Sequence, residues 1–564
     1  IRQEYNVSIS ASNDKSNFYA SVGYLNNEGI TDNSDLKRFT GRLRADYQAK
    51  DWLKVGANFN YARFDHNSLG NNGSSTSTGN IWAYTSQIAP IYPAYVRNAD
   101  GSIMIDSNGI QMMDYGSGIN AGLTRPFISD ANPIQDVRLN TRNSEGNAFG
   151  AHGFADFTFV KGLVLTVNGT VNIDDTRFTY VYNPYYGQFD STGGTVEKYH
   201  QRSYDYNLQQ LLNYTTTINK VNNLNVMLGH EYYDYRIYLL GASKSKMFSQ
   251  SNKELNGAVV DGQSANSLIS RYNNEGWFAR VQYDYDMRIF ASGSIRRDAS
   301  SRFHPDNRWG TFWSLGAAWL INKESWFKAK WVDELKLKAS IGSQGNDNIY
   351  DTTYDDLGLN SYYYSDVYRI SNSAGNIGTA FFAKGTKDIT WETNTNLNLG
   401  TEFTLFHDRL DGSFEFFDRR TTDMLFFFSL PLSYGYTGYY DNVGNMRNYG
   451  LELSLSYDIL KKHDLGWNVS FNATKVLNRI TMLHERNKTR EVEGYHGYIS
   501  GSYFYGEGLP LYTRYMKKWA GVDRETGEAQ WYVQKENGDG TVSDGVTTNW
   551  SDASYYLCGN SIPD

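Results

Sequence analysis

The strictest constraint in this sequence is a period of two. From Leu163, the odd positions Leu163, Leu165, Val167, Gly169, Val171 and Ile173 are apolar or small, while Thr166, Asn168, Thr170 and Asn172 occupy even ones. Further on, Thr395, Leu397, Leu399, Phe403 and Leu405 alternate with Asn394, Asn396, Asn398, Glu402 and Thr404. Leu451, Leu453, Leu455 and Tyr457 alternate with Glu452, Ser454, Ser456 and Asp458, and 467–474 repeats the pattern. Successive side chains of an extended chain point to opposite faces, so each segment predicts a strand with one face against something apolar and the other against something wet.

Connection lengths narrow the choice of sheet. Tight joints are expected at 49–51, 160–162, 220–223, 286–288, 407–408 and 461–466. Long polar loops are expected at 66–145, 174–203, 343–391 and 422–448. Every second connection is short and every other one long. A soluble sandwich has no reason to sort its connections this way; a transmembrane barrel has short turns on one side of the bilayer and long loops on the other. Counting alternating segments gives about sixteen strands between Tyr5 and Val476, with a helical turn expected near Glu324, Ser325, Trp326 and Phe327. Aromatic residues sit beside the short turns: Tyr47 and Trp52, Phe159, Tyr283 and Tyr285, Tyr457 and Trp467. Aromatics are good strand formers anywhere, but their place next to turn after turn matches the girdle at a membrane interface.

Composition agrees. Hydrophobic residues make up only 40% of the 564 residues, yet aromatics reach 15%, with 45 Tyr and 13 Trp. Mean hydropathy is −0.58, and no apolar run approaches the ~18 residues of a spanning helix. That excludes a helical membrane protein and leaves a barrel open, because only alternate residues of a barrel strand face lipid. A net charge of −8 argues against a nucleic-acid partner, since there is no basic stripe to displace counterions. The lone cysteine, Cys558, cannot form an internal disulfide and fits no metal spacing. The chain starts at Ile1 without a signal segment and is expected to be an internal piece of something longer.

Several segments resemble, in order, the barrel of the SusC/RagA-like TonB-dependent transporters of Bacteroidota. They begin with Tyr19-Ala20-Ser21-Val22-Gly23-Tyr24-Leu25-Asn26 and Glu28-Gly29-Ile30. Arg42-Leu43-Arg44, Trp52-Leu53-Lys54-Val55-Gly56 and Leu335-Lys336-Leu337-Lys338-Ala339-Ser340-Ile341-Gly342 follow. Gln344-Gly345-Asn346-Asp347-Asn348-Ile349, Trp391-Glu392-Thr393 and Asp418-Arg419-Arg420-Thr421-Thr422-Asp423-Met424-Leu425 continue the series. Asn442-Val443-Gly444-Asn445, Asn448-Tyr449-Gly450-Leu451-Glu452, Gly521-Val522-Asp523 and Leu557-Cys558-Gly559-Asn560 complete it, with Cys558 where the family usually places a small or aliphatic residue.

The resemblance covers residues 1–564 as one partial barrel domain. It implies an integral outer-membrane protein with a 22-stranded antiparallel barrel, of which about sixteen strands are expected here. An N-terminal plug, a TonB-contacting peptide and the last strands are expected outside the chain. It also implies active import of a large nutrient, an oligosaccharide or glycan first and an oligopeptide second. A SusD-like surface lipoprotein would act as lid, and energy would come from the proton gradient through TonB-ExbB-ExbD, with no bound cofactor or metal.

The candidate contacts follow from the faces and loops. Asn394, Asn396, Asn398, Asn468 and Asn472, with Ser454 and Thr474, would line the inner wall and hold a hydrated solute weakly, at about 1 kcal/mol per hydrogen bond. They could equally contact only plug or water. Trp82, Tyr84, Tyr362, Tyr363, Tyr364, Tyr434, Tyr436, Tyr439 and Tyr440 lie in the long loops. Such rings can stack on sugar faces or grip peptide side chains, or can pack the loops together or seat the lid.

Two other classes were weighed. An enzyme is disfavoured: no G-x-S-x-G or H-E-x-x-H occurs, His230-Glu231 and His484-Glu485 lack the second His, and Asp174-Asp175 need no catalytic role. Asn537-Gly538-Asp539-Gly540 resembles part of a calcium loop, but Lys535 stands where an acidic ligand is required. A soluble or surface-attached carbohydrate-binding β-protein would explain the aromatics and Asn, but not the sorted connections.

Overall fold

In a computed structural model, the described residues are 1–69, 86–120, 122, 124–126, 131–187, 189–262, 265–349, 362–436, 438–462, 464–536 and 542–562. Trp82, Tyr84 and the glycine-rich turn 537–540 lie outside them. The chain divides into two compact units, residues 1–210 with 231–273 and residues 211–230 with 274–564.

The first unit is an antiparallel ladder in sequence order: β1 (Arg2–Ser12), β2 (Ser16–Glu28), β3 (Asp35–Lys50), β4 (Leu53–Asn67), β5 (Thr141–Val160) and β6 (Leu163–Tyr182). β7 (Thr195–Ile218) and β8 (Asn222–Met247) follow, their turn ends belonging to the second unit. The short β9 (Ala258–Asp261) pairs with β8. Between β4 and β5 the loop carries the helix α1 (Pro133–Leu139), started by Asn132, whose side chain accepts from the amides of Ile134 and Gln135.

The second unit continues from β10 (Asn266–Tyr285), whose first residues belong to the first unit, into β11 (Ile289–Ser300), β12 (Trp309–Leu320) and β13 (Val332–Asn346). A loop hairpin, β14 (Val367–Ser373) and β15 (Asn376–Ala383), precedes β16 (Glu392–Leu405) and β17 (Leu410–Thr422). A second, β18 (Leu425–Ser429) and β19 (Gly438–Asn442), precedes β20 (Asn445–Lys462) and β21 (Leu465–Met482). The long strands pair in the order β10, β11, β12, β13, β16, β17, β20, β21. After β21 come two small sheets. One joins β22 (Arg490–Val492), β23 (Tyr495–Ser500), β24 (Tyr503–Gly506), β25 (Thr513–Lys517) and β29 (Tyr555–Asn560). The other joins β26 (Trp519–Val522), β27 (Ala529–Glu536) and β28 (Val542–Thr547).

Among the described residues, β1–β8, β10–β13, β16, β17, β20 and β21 are sixteen strands of 11 to 26 residues, the number expected from periodicity. A tilted strand of ~9–11 residues crosses a bilayer, so the longest ones project well past it. This projection alters one expected loop. Residues 174–203 were expected to be irregular, but β6 runs on to Tyr182 and β7 begins at Thr195. A cross-strand ion pair, Arg177 to Glu145 at 2.9 Å, and a hydrogen bond between His200 and Asp175 at 3.0 Å accompany the extension. Two connections on the long-loop side, 29–34 and 301–308, are also short.

The tight turns stand where the sequence places them. Gly162, at φ 87°, turns β5 into β6, a conformation glycine adopts freely. Phe406, His407 and Asp408 occupy the left-handed region consecutively, and the amides of His407 and Asp408 donate to the Asp333 carboxylate at 2.7 and 3.1 Å. Between β12 and β13 the expected helical turn is a single 3-10 turn, Ile321–Lys323. Tyr47, Trp52, Phe159, Tyr283, Tyr285, Tyr457 and Trp467 beside these turns are all exposed.

Register turns the alternation into two different faces. In the second unit one lateral row reads Ala317, Ala339, Leu399, Phe416, Leu451. The next reads Trp319, Leu337, Thr401, Phe414, Leu453, Ala473. Further rows align Leu335, Phe403, Gly412, Leu455 and Phe471, then Leu405, Leu410, Tyr457 and Val469. The opposite face carries Gly316, Ser340 and Asn398 in one row and Lys338, Gly400, Glu415, Glu452 and Thr474 in another. A third there reads Lys336, Glu402, Ser413, Ser454 and Asn472. A continuous apolar face left open over so many strands is far larger than a soluble monomer exposes, and fits contact with hydrocarbon.

Candidate solute path and outer-loop contacts

The polar face of the second unit holds every asparagine expected on the inner wall. Asn394, Asn396 and Asn398 sit at alternate positions of β16, and Asn468 and Asn472 occupy the same face of β21. Neighbours on the sheet already engage several of them. Asn394 accepts from the Thr421 hydroxyl at 2.5 Å, Asn472 accepts from Ser454 at 2.8 Å, and Asn468 donates to Asp458 at 2.8 Å. The wall is therefore a hydrogen-bonded lattice with remaining donors and acceptors open to whatever fills the interior.

Sequence reasoning missed a charged cluster on this face. Lys336 Nζ lies 2.9 Å from Glu402, and Lys338 Nζ lies 3.0 Å from Glu402 and 2.8 Å from Glu415. The cluster borders a cavity of about 610 Å³ that also takes in Asn398, Ser340, Gln282 and Asp284. The signal was present: Lys336 and Lys338 alternate with Leu335 and Leu337, so they had to share the wet face, but their carboxylate partners depend on the pairing of β13 with β16 and of β16 with β17.

The loop aromatics separate into two groups. Tyr363 and Tyr440 are buried in a core with Phe303, Phe312, Ile349, Ala383, Ile389 and Trp391. Their rings meet edge to face at 5.0 Å, and the Tyr363 hydroxyl donates to the Ile349 carbonyl at 3.1 Å. These two pack the loops together. Tyr364 is packed against the same core. Tyr362 and Tyr434 remain exposed. Tyr436 meets Phe381 at 5.5 Å, and half-buried Tyr439 lies under Lys384 and accepts from Arg486 at 3.4 Å.

In the first unit, the loop around α1 is held by polar groups. Tyr115 donates to Asp136 at 3.2 Å and stacks on Tyr186, which donates to Asp106 at 2.5 Å. Burial pushes the Asp136 carboxyl up to about 7. Beside α1 lies a cavity of about 510 Å³ lined by Arg138, Arg142, Tyr182, Gln250 and Lys253. No group of three or more metal-ligating side chains occurs among the described residues.

Long antiparallel strands, an open apolar face, an opposite polar face, aromatic-flanked short turns and long structured loops define a transmembrane β-barrel domain of the outer-membrane kind. No helix among the described residues is long and apolar enough to cross a membrane, so the strands do the spanning. Residues 113–557 match the family described as "TonB dependent receptor-like, beta-barrel", and the chain belongs to it. The TonB-dependent receptor SusC of Bacteroides thetaiotaomicron is 26% identical over 514 residues, 86% of this chain and 47% of that protein. TonB-dependent receptor P26 of Formosa agariphila is 24% identical over 563 residues, 95% of this chain and 52% of that protein. Among solved structures, the RagAB peptide transporter superposes with a TM-score of 0.77 at 26% identity, covering 99% of this chain and 58% of that one. The chain thus spans about half the length of the curated relatives it matches. It is part of an outer-membrane protein of the SusC/RagA type.

Proposed function

We propose that this chain forms wall and outer loops of a TonB-coupled importer that carries a large hydrated nutrient across the outer membrane. An oligosaccharide is the first reading of the solute. The observation that carries the proposal is the two-faced sheet. Apolar rows through Leu399, Phe414, Leu451 and Val469 back onto rows of Asn, Ser, Lys and Glu. A wall of amides and hydroxyls, with its Lys and Glu side chains paired to one another, exchanges hydrogen bonds with a polyhydroxylated solute at small net cost per contact, which favours passage over capture. Asn394, Asn396, Asn398, Asn468 and Asn472 serve as wall contacts. Tyr362 and Tyr439, with Trp82 and Tyr84, serve as outer contacts.

The likeness to a peptide transporter supports an oligopeptide as the second reading. A SusD-like lipoprotein would close the loop side. TonB, driven through ExbB and ExbD by the proton gradient, would act through parts of the protein outside this chain. The protein has no enzymatic role in this reading. Growth of a strain deleted for the gene, on single defined glycans and on peptides as sole carbon source, tests it. Selective loss of growth on one substrate set, restored by the intact gene, is the expected result. Unchanged growth on all of them, with unchanged uptake of labelled substrates, would refute import.

A further inference from the structure

The cavity beside α1 is lined by two cations, Arg142 and Lys253, that have no carboxylate within ion-pair distance among the described residues. Arg142 is the second residue of β5 and pairs with Tyr180 of β6. It stands at an even position of β5, as do Gly150 and His152. The odd positions Phe149 and Ala151 lie in rows with exposed Tyr61, Phe59 and Val171. Arg142 therefore shares the polar face of the strand and stands at its loop end. Its guanidinium lies 4.9 Å over the Tyr180 ring and donates to the Tyr182 hydroxyl at 3.3 Å. Its Nε has no hydrogen-bond partner among the described residues.

Several of the described carboxylates near the cavity are engaged, Glu197 by the Tyr199 hydroxyl and Asp35 by the Asn67 amide among them. Asp32 pairs with Arg138 at 2.9 Å, and Glu254 pairs with Lys198 at 2.9 Å. Asp136, which also lines the cavity, accepts from Tyr115 and from the Asn132 amide at 3.2 Å each, and burial raises its carboxyl to about 7. The carbonyl end of α1 would repel an anion, but the side-chain amides of Asn33 and Gln250 cap the carbonyls of Val137 and Leu139. Beside Asp136 and the Asp32-paired Arg138, the cavity is lined by Arg142 on its aromatic shelf and by exposed Lys253, neither with a carboxylate within ion-pair distance among the described residues. Arginine stacked on a ring is held in one plane with edge donors free, the geometry that suits a planar carboxylate.

We propose that this cavity is a carboxylate subsite at the mouth of the solute path, with Arg142 as its specificity-determining residue and Lys253 as its second cation. The inference rests on the import reading and deepens it: the solute bears a carboxylate, either a uronic acid of an oligosaccharide or the terminus of a peptide.

Equilibrium binding to the purified full-length receptor tests this apart from transport. Two matched pairs serve as probes: a hexuronate trisaccharide against its neutral hexose counterpart, and a tripeptide with a free C-terminus against its C-terminal amide. The acidic member of one pair should bind at least about tenfold tighter, and that pair names the source of the carboxylate. Arg142→Gln should remove the gap and leave the neutral member unchanged, while Arg142→Lys restores part of it. Lys253→Gln, at an exposed position that does not endanger folding, should narrow the gap about two- to fivefold and make its remaining loss with salt shallower. The proposal fails if neither pair shows a gap, or if Arg142→Gln and Lys253→Gln weaken acidic and neutral probes alike. A receptor that shows the gap but supports no uptake would refute import and leave the subsite standing.

Discussion

Phe303 and Leu315 belong to the same unit and meet opposite fates. Phe303 is fully buried in the loop core with Ile389 and Trp391, whereas Leu315, on β12, is 57% exposed. Phe471, on β21, is similarly 55% exposed. In a water-soluble protein, the second pattern would be a defect repeated strand after strand. The contrast shows that one chain answers to two solvents. Loops above the membrane must bury their apolar groups against one another, as any small domain does. Wall strands need no partner layer, because lipid tails are as apolar as the side chains that face them.

The contrast is broken most directly by deleting side chains on each side of it. Phe303→Ala should cost about 3–5 kcal/mol, since it removes a buried ring and leaves a cavity among rigid neighbours. The loss should appear as faster amide exchange and protease nicking in 301–308, 362–391 and 425–442, with the long strands still protected. Leu315→Ala should cost only a small part of that, because lipid fills the vacated space. Equal costs would mean that the exposed face is covered by protein rather than by hydrocarbon.

Charge insertion sharpens the same division within the wall. Val469 lies in the apolar row with Tyr457, Leu410 and Leu405, while Asn468 pairs with Asp458 on the other face. In the complete barrel, Leu451→Arg, on the same face as Val469 but farther along the strand from the girdle row of Tyr457, should cost roughly 2–4 kcal/mol, and Asn468→Arg far less. Denaturant unfolding in lipid vesicles measures both. Similar losses would overturn the assignment of faces.

Much of the wall could be read from the chain because period-two alternation is local. The set Thr395, Leu397, Leu399, Phe403 and Leu405 fixes the faces of β16 without reference to any other strand, and tight turns fix its neighbours. Legibility fades where strands leave the bilayer. In 174–182 the strand leaves the bilayer and meets loop residues, with Val181 buried against Val196 and Met247, so Arg177, Thr179 and Val181 show no clean alternation, and β6 runs on past the expected end. The loops were less legible still. Tyr362 and Tyr363 are adjacent and chemically identical, yet one is exposed and the other buried against Tyr440, which arrives from a different loop. The Arg142 cavity likewise depends on segments far apart in sequence, including 138–142, 180–182 and 250–253.

The two loop regions also differ from each other, and pH separates them. The α1 loop buries Asp114, Arg125, Asn132, Gln135 and Asp136, whereas the loop core of the second unit is aromatic and aliphatic. The Asp136 carboxyl titrates near 3.8 when unfolded and is pushed up to about 7 by burial. Folding therefore favours its protonated form. Its contribution is complete below about 4 and is lost progressively as pH rises to about 7. Protection of α1 amides, corrected for intrinsic exchange, should rise as pH falls from 7.5 toward 5, and Asp136→Asn should flatten that dependence. The core around Phe303 should show no comparable change over this range. A flat wild-type profile at α1 would remove the distinction.

The smallest expected effect concerns the paired tyrosines. Tyr363→Phe keeps the ring in its edge-to-face contact with Tyr440 but leaves the Ile349 carbonyl without its donor at a buried position. That loss should be about 0.5–1.5 kcal/mol, seen as locally faster exchange in the loop core with the wall unaffected. Tyr362→Phe alters a ring that remains exposed and should cost the loop less. If this ring instead serves as an outer contact, Tyr362→Ala should weaken solute binding while Tyr363→Phe does not. If Tyr362→Phe destabilises the loop as much as Tyr363→Phe, the two rings are not divided between packing and solvent as the structure places them.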